Sequence, residues 1–156
     1  MQGKRPGDSA VTLTVVMGPG EANTLGNVHG GIVMKLCDEA AGMAAIKHAA
    51  HPAVTVAVDS MTFHSPVHIG NLVTVHAQLT WVGRTSMEIR VVVSAENVLT
   101  GKVTHTNTAY FVYVALDDGG KPTPVPPLIL ETEEEKERHA RASERQKYRL
   151  GRHDLK

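Results

Sequence analysis

The residues best suited to do chemistry lie in one short stretch, where a glycine-rich turn leads into a predicted helix. Gly30 and Gly31 begin this helix without a Ser, Thr or Asp at the capping position, so its first amides lack a side-chain partner. Free amides at a helix start can bind an anion or stabilise an oxyanion. Asp38 follows two turns later, and its carboxylate could accept a proton from water. Asn27, in the preceding turn, could orient water or a carbonyl group.

Gly30 and Asp38 are too far apart on one helix to serve a single reacting group. They are eight residues apart, which is roughly 12 Å at about 1.5 Å per residue. Each group must approach the reacting carbonyl to within about 3 Å. Two antiparallel copies of the helix around a two-fold axis would bring the glycine end of one to the aspartate of the other. The sequence therefore predicts a homodimer with two equivalent sites between its subunits, and an inactive monomer.

Each of these residues also has an ordinary structural interpretation. Asp38 can pair with Lys35 on the same helix, a contact of a few tenths of a kcal/mol. Asn27 is a common type of turn residue, and glycines at a helix start can simply give the backbone freedom. The predicted burial of the helix favours a functional Asp38, because a buried carboxylate without a partner is costly.

The histidines do not form a metal-binding motif. His64 and His68 are four residues apart, but Pro66 between them argues against a helix that would put both on one face. The chain has no pair of cysteines and no His-Glu motif, so we expect no metal site.

Composition argues against several functional classes. Sixteen basic and sixteen acidic residues give a formal net charge of zero, which disfavours binding to nucleic acid or to an anionic membrane. Cys37 is the one cysteine, so an intramolecular disulfide is impossible. No apolar run has the length of about twenty residues that a membrane helix needs, and none follows the first basic residues as in a signal peptide. We therefore expect a cytoplasmic protein.

Five β-rich segments and two helices are predicted to position these residues. Alternating apolar residues predict strands at residues 11–16, 53–63, 72–82, 86–97 and 103–115. Residues 31–49 carry two adjacent apolar stripes at helical spacing and many alanines, which predicts a buried central helix. The fold class is therefore α+β, with an antiparallel sheet wrapped around the long central helix.

The chain is expected to comprise an N-terminal arm (1–10), one domain (11–127) and a charged C-terminal helix (128–156). Thr132 and Glu135 form a capping box at the start of this last helix. Because the helix carries few large apolar residues, we predict that it is solvated. The alternative is that its basic end lies across a neighbouring subunit or meets a ligand phosphate.

Four motifs together resemble the acyl-CoA hydrolase branch of the hotdog-fold thioesterases. They are GNVHGG at 26–31, MKLCDE at 34–39, VAVDSMTF at 56–63 and VGRTS at 82–86, within a similarity that runs from about residue 14 to 126. The resemblance implies the hotdog fold and hydrolysis of fatty acyl-CoA to free fatty acid and CoA. It also implies trimers of dimers. Coenzyme A would be part of the substrate and product, so no separate cofactor is expected.

The resemblance also suggests a role for each site residue. An Asn before the helix and an Asp within it, from different hotdog units, map onto Asn27 and Asp38. Asp38 would be the general base, or else a nucleophile that forms an anhydride, while the partner's Gly30 and Gly31 amides stabilise the oxyanion. The expected substrate- and CoA-binding residues are His29, Gly83, Arg84, Thr85 and Ser86.

Two other functions stay open at this point. A hotdog hydratase or dehydratase would pair His29 with a carboxylate, although its typical His-Phe-Pro loop is absent. A non-catalytic acyl-CoA-binding module would bind the same ligand without releasing a thiol. Sensors of that type usually carry a DNA-binding domain, and only about ten residues precede the first predicted strand.

Overall fold

The computed structural model describes residues 1–153, and it contains every predicted strand and helix. The five strands form one antiparallel sheet in the order β1-β3-β4-β5-β2. The elements are β1 (Val11–Val16), α1 (Gly30–Ala49), β2 (Ala53–Val58), β3 (Leu72–Val82), β4 (Ser86–Asn97), β5 (Lys102–Ala115) and α2 (Glu133–His153).

The sheet wraps around α1, as predicted. Alternate residues of the central strands point inward and are fully or almost fully buried, among them Val75 on β3 and Ile89 on β4. Helix α1 faces them with small side chains such as Ala40 and Ala44, which let the backbones approach closely. The helix contacts all five strands. The predicted α+β class and hotdog fold are confirmed.

Strand β2 is shorter than predicted and ends at Val58 instead of residue 63. A bulge between Thr55 and Ala57 shifts its register against β5, and the chain leaves the ladder soon afterwards. We call residues 59–68, which run from the end of β2 towards the start of α1, the connecting segment. The alternation of apolar residues continues past Val58, so it does not indicate where the chain stops pairing with β5.

Helix α2 is docked on the outer face of the sheet, so the prediction of a solvated helix was wrong. Its capping box forms as predicted, with Thr132 and Glu135 bonding each other's backbone amides at 3.1 Å. Further along, Ala142 is fully buried, and the guanidinium of Arg145 lies 3.7 Å from the centre of the Tyr110 ring. Because arginines make most of this contact, a search for apolar residues could not reveal it.

A buried carboxylate anchors α2 to the sheet. Glu88 on β4 is fully buried and accepts hydrogen bonds from Arg145 at 2.7 Å, from Arg149 at 2.5 Å and from Thr80 at 2.6 Å. Burial by itself raises the pKa of Glu88, but the bonds from Arg145, Thr80 and Arg149 outweigh it and hold the pKa below its ordinary value. The basic end of α2 therefore binds a carboxylate of its own chain.

We expect Glu88→Gln to lower the free energy of unfolding by about 3 kcal/mol at pH 7, because it leaves two guanidinium groups without their buried partner. The folded-state pKa of Glu88 lies below its ordinary value near 4.5. Its contribution is therefore complete above about pH 4.5 and is lost as the pH falls through the lower, folded value. Urea unfolding from pH 3 to 8, at fixed protein concentration, should show the two proteins converging at acid pH. A constant difference would contradict this assignment.

Candidate active site

The start of α1 has the uncapped amides that the sequence predicts. His29 occupies the N-cap position and its side chain makes no capping bond. Within residues 1–153, the amides of Gly30 and Gly31 have no hydrogen-bond acceptor. Both glycines are exposed. Two parallel donors at a helix start can stabilise a negative oxygen.

A pocket of about 220 Å³ lies beside these amides, and we call it the α1 pocket. Its lining includes Gly30, Phe63 of the connecting segment, and two asparagines, Asn23 and Asn27. The side-chain oxygen of Asn27 lies 3.0 Å from Nδ1 of His68. The side-chain oxygen of Asn23 accepts the amide of Asn27 at 3.1 Å, so the two asparagines brace one turn.

Asp38 is exposed on the outward face of α1, so the expectation that it is buried in its own chain was wrong. The sheet covers the opposite face of the helix, whereas this face is reached by the hydroxyl groups of Thr55 and Tyr113. Lys35 pairs with Glu39 at 3.6 Å rather than with Asp38, which removes the simple ion-pair interpretation. The carboxylate is therefore open to solvent in a single chain.

Two hydroxyl groups hold one oxygen of the Asp38 carboxylate. Thr55 on β2 donates to Oδ1 at 2.8 Å, and Tyr113 on β5 donates to the same atom at 2.5 Å. Burial and then the bond to Asp38 raise the pKa of Tyr113 well above its ordinary value, so the phenol stays protonated as a donor. In the described part of the chain, Oδ2 has no hydrogen-bond partner. The carboxylate is thus fixed through one oxygen and open at the other.

The open side of Asp38 belongs to a larger apolar face, which we call the α1–β2 face. Strand β2 is the last strand of the sheet, so its outer edge is not paired with any strand in residues 1–153. Five apolar side chains of α1 and β2 are 43% to 55% exposed. They are Met34, Met43, Val54, Val56 and Val58. An apolar face on an open sheet edge is typical of a subunit interface.

The four predicted CoA-binding residues Gly83, Arg84, Thr85 and Ser86 lie far from the α1 pocket of the same chain. They form the turn between β3 and β4, where the Ala115 amide bonds the Thr85 carbonyl at 3.0 Å. This turn is next to the end of β5, whereas the connecting segment meets β5 near its start, at Thr106. One chain therefore brings together Asn27, His29, Gly30 and Gly31, but not this turn.

Three neighbours of the site were missed by the sequence analysis. Asn23 was given no role, and Thr55 and Tyr113 were placed only within predicted strands. The last two reach Asp38 across 17 and 75 residues of sequence. Only the pairing of β2 with β5 beneath α1 brings them together, and no local pattern encodes it.

Neither a metal site nor a membrane-spanning helix is found within residues 1–153. No group of three or more His, Cys, Asp or Glu side chains could hold a metal ion there. No helix in this part of the chain is long and apolar enough to cross a membrane.

The chain is similar to a thioesterase family model, to an acyl-CoA thioester hydrolase sequence and to solved acyl-CoA thioesterase structures. Residues 25–102 match the family model described as the thioesterase superfamily. A rat cytosolic acyl coenzyme A thioester hydrolase is 41% identical over 132 residues, which are 83% of this chain and 35% of the rat protein. The chain thus spans about a third of the length of that relative. An apo-hexameric acyl-CoA thioesterase structure is 37% identical, with a TM-score of 0.95 and full coverage of both chains.

The Staphylococcus aureus acyl-CoA hydrolase, solved with butyryl coenzyme A and coenzyme A, is 30% identical with a TM-score of 0.90. The match covers 99% of this chain and 94% of that one. Its solved variants replace an aspartate, an asparagine 15 residues earlier and a threonine 17 residues later. In the present chain the same intervals from Asp38 lead to Asn23 and Thr55.

Proposed function

The chain belongs to the thioesterase superfamily, and from that premise we propose that it hydrolyses fatty acyl-CoA at a site shared by two subunits. The observation that carries this proposal is the Asp38 carboxylate, fixed through Oδ1 and open at Oδ2 on a face that its own chain leaves uncovered. The names of the rat and Staphylococcus aureus relatives support the substrate class.

Water is the proposed nucleophile. Oδ2 of Asp38 accepts a proton from water while the water oxygen attacks the thioester carbonyl. The amides of Gly30 and Gly31 from the partner subunit stabilise the oxyanion. The carbon–sulfur bond then breaks, the thiolate of CoA takes up a proton, and free fatty acid leaves. Direct attack by Asp38, with an anhydride intermediate, remains the alternative route to the same products.

The shared site requires that two α1–β2 faces meet around a two-fold axis. The unpaired edge of β2 and its exposed valines supply main-chain and apolar contacts for such a dimer. Antiparallel α1 helices then place the glycine end of one opposite Asp38 of the other. The Gly83–Ser86 turn of the chain that supplies Asp38 comes to the same side, where it is proposed to bind CoA with His29. The hexameric relative supports assembly of three such dimers.

The experiment that tests the activity is release of free thiol from a panel of acyl-CoA chain lengths. We expect thiol release in a chelator-containing buffer, because only water is added to the substrate and no cofactor is needed. Hydration of an enoyl thioester without free CoA, or tight acyl-CoA binding without thiol release, would contradict the proposal. A cytoplasmic location stays a prediction, and the name of the rat relative supports it.

Two asparagines are candidates for the side-chain amide that orients water or the thioester carbonyl. The position just before α1 favours Asn27, whereas the intervals in the Staphylococcus aureus variants favour Asn23. Both line the α1 pocket, but Asn27 also braces His68.

We expect Asn23→Ala to lower kcat by about tenfold or more, since a positioned amide that orients water or carbonyl is lost. Asn27→Ala should mainly loosen the turn and cost less than about threefold in kcat. Thiol release by the two variants, with melting temperature as a control for folding, decides between them. The reverse order of effects would restore the assignment to Asn27.

A further inference from the structure

The connecting segment forms one side of the α1 pocket but is weakly tied to the sheet in its middle. The Asp59 amide bonds the Tyr110 carbonyl at 3.0 Å, and the His64 amide bonds the Thr106 carbonyl at 2.9 Å. Between them, residues 60–63 make no backbone–backbone hydrogen bond with any described residue. The position of Phe63 in the pocket therefore depends on how firmly Asp59 and His64 are held.

Helix α2 holds the first of these anchors. Arg149 donates from Nε to Oδ1 of Asp59 at 2.9 Å and from Nη2 to Oδ2 at 2.8 Å. The side chain of Arg149 is 12% exposed and that of Asp59 is 28% exposed, so solvent screens the pair only in part. A bidentate guanidinium–carboxylate pair fixes orientation as well as distance, which a lysine could not do.

Arg149 is itself fixed to the middle of the sheet. Its Nη2 lies 2.5 Å from Oε2 of the buried Glu88, and its Nη1 donates to Gln146 at 3.0 Å. A continuous series of short polar contacts therefore runs from β4 through α2 to the start of the connecting segment. The arginine cannot move without disturbing a carboxylate that has no access to water.

Phe63 lies directly over the helix start that the proposed reaction uses. A Cβ atom added to Gly30 would lie 3.6 Å from Cε2 and Cζ of the Phe63 ring. The backbone of residues 60–63, which makes no backbone–backbone hydrogen bond in the described chain, links Asp59 to this ring. We propose that Arg149 is a positioning residue for acyl-CoA binding, which holds Phe63 over the α1 pocket through Asp59. The proposal rests on the function proposed above.

A change at Arg145 separates the effect of the Arg149–Asp59 pair from the effect of docking α2 on the sheet. It bonds Glu88 and packs on Tyr110, but it makes no hydrogen bond or ion pair with Asp59. Arg145→Ala should therefore destabilise the docked helix while leaving the Asp59 pair in place. It is the matched control, because it removes the same side chain from the same helix.

We expect Arg149→Ala and Asp59→Asn each to raise KM for acyl-CoA by about fivefold, with kcat changed less than about twofold. The double variant should raise KM no further than either single change, because both changes remove the same Arg149–Asp59 pair. Arg145→Ala should lower the melting temperature and leave KM unchanged. Arg149→Lys should recover only part of the loss. An unchanged KM in Arg149→Ala, or an equal rise in Arg145→Ala, would overturn the proposal.

Amide hydrogen exchange tests the same contact without relying on catalysis. Residues 60–63 should exchange faster in Arg149→Ala and Asp59→Asn than in the wild type or in Arg145→Ala. If the wild type releases no thiol, the proposed function fails and these exchange rates alone decide the positioning role. Equal exchange in all four proteins would overturn it.

Discussion

Asp38→Asn is expected to lower kcat for thiol release by about a hundredfold or more, with little change in fold. The asparagine oxygen can still accept the bonds from Thr55 and Tyr113, so the side chain keeps its place. What is lost is the second oxygen, which accepts the proton from water in the proposed reaction. Steady-state thiol release measures the effect, and the melting temperature checks the fold.

Glu39→Gln is the matched control for this change. Glu39 is the next residue on α1, is also exposed, and pairs with Lys35. It has no bond to Thr55 or Tyr113, so its neutralisation should leave kcat within about twofold. An Asp38→Asn enzyme that keeps a tenth or more of the wild-type kcat would remove Asp38 as the base.

Val56→Asp is expected to weaken the dimer by about a thousandfold or more, and activity per chain should fall with it. Val56 is 55% exposed in a single chain, so the substitution breaks no intrachain packing of note. In the proposed dimer it buries an unpaired carboxylate in each subunit, at a cost of several kcal/mol each. Analytical ultracentrifugation combined with thiol release over a range of protein concentrations measures both effects.

The control for the dimer is Val98→Asp. Val98 has a similar exposure of 58% but lies in the turn between β4 and β5, away from the α1–β2 face. It should leave both the dimer and the activity unchanged. Full activity in a Val56→Asp protein shown to be monomeric would refute a shared site.

The sequence was sufficient for the fold because its periodicities are regular. Alternating apolar residues in β3 and β4, and the alanine-rich stripe of α1, specify which faces pack together. The rise of a helix alone places Gly30 and Asp38 too far apart to act on one carbonyl group. A dimer is therefore predictable from the sequence.

The sequence was insufficient wherever a contact joins distant segments through polar groups. The Tyr113 hydroxyl reaches Asp38 only because β5 passes beneath α1. Arg149 reaches Asp59 only because α2 crosses the sheet. The inference that Asp38 is buried failed for a related reason: an apolar helix stripe predicts burial without saying which chain covers it.

Subunit mixing tests the central claim most directly. Asp38→Asn chains should be nearly inactive alone, and Asn23→Ala/Asn27→Ala chains should keep about a tenth of the wild-type activity or less. After denaturation and refolding together at equal concentration, about half of the dimers are mixed, and each mixed dimer holds one intact site. A shared site therefore predicts recovery of about a quarter of the wild-type activity. No recovery, in a sample whose mixed dimers are verified by mass spectrometry, would show that one chain supplies the whole site.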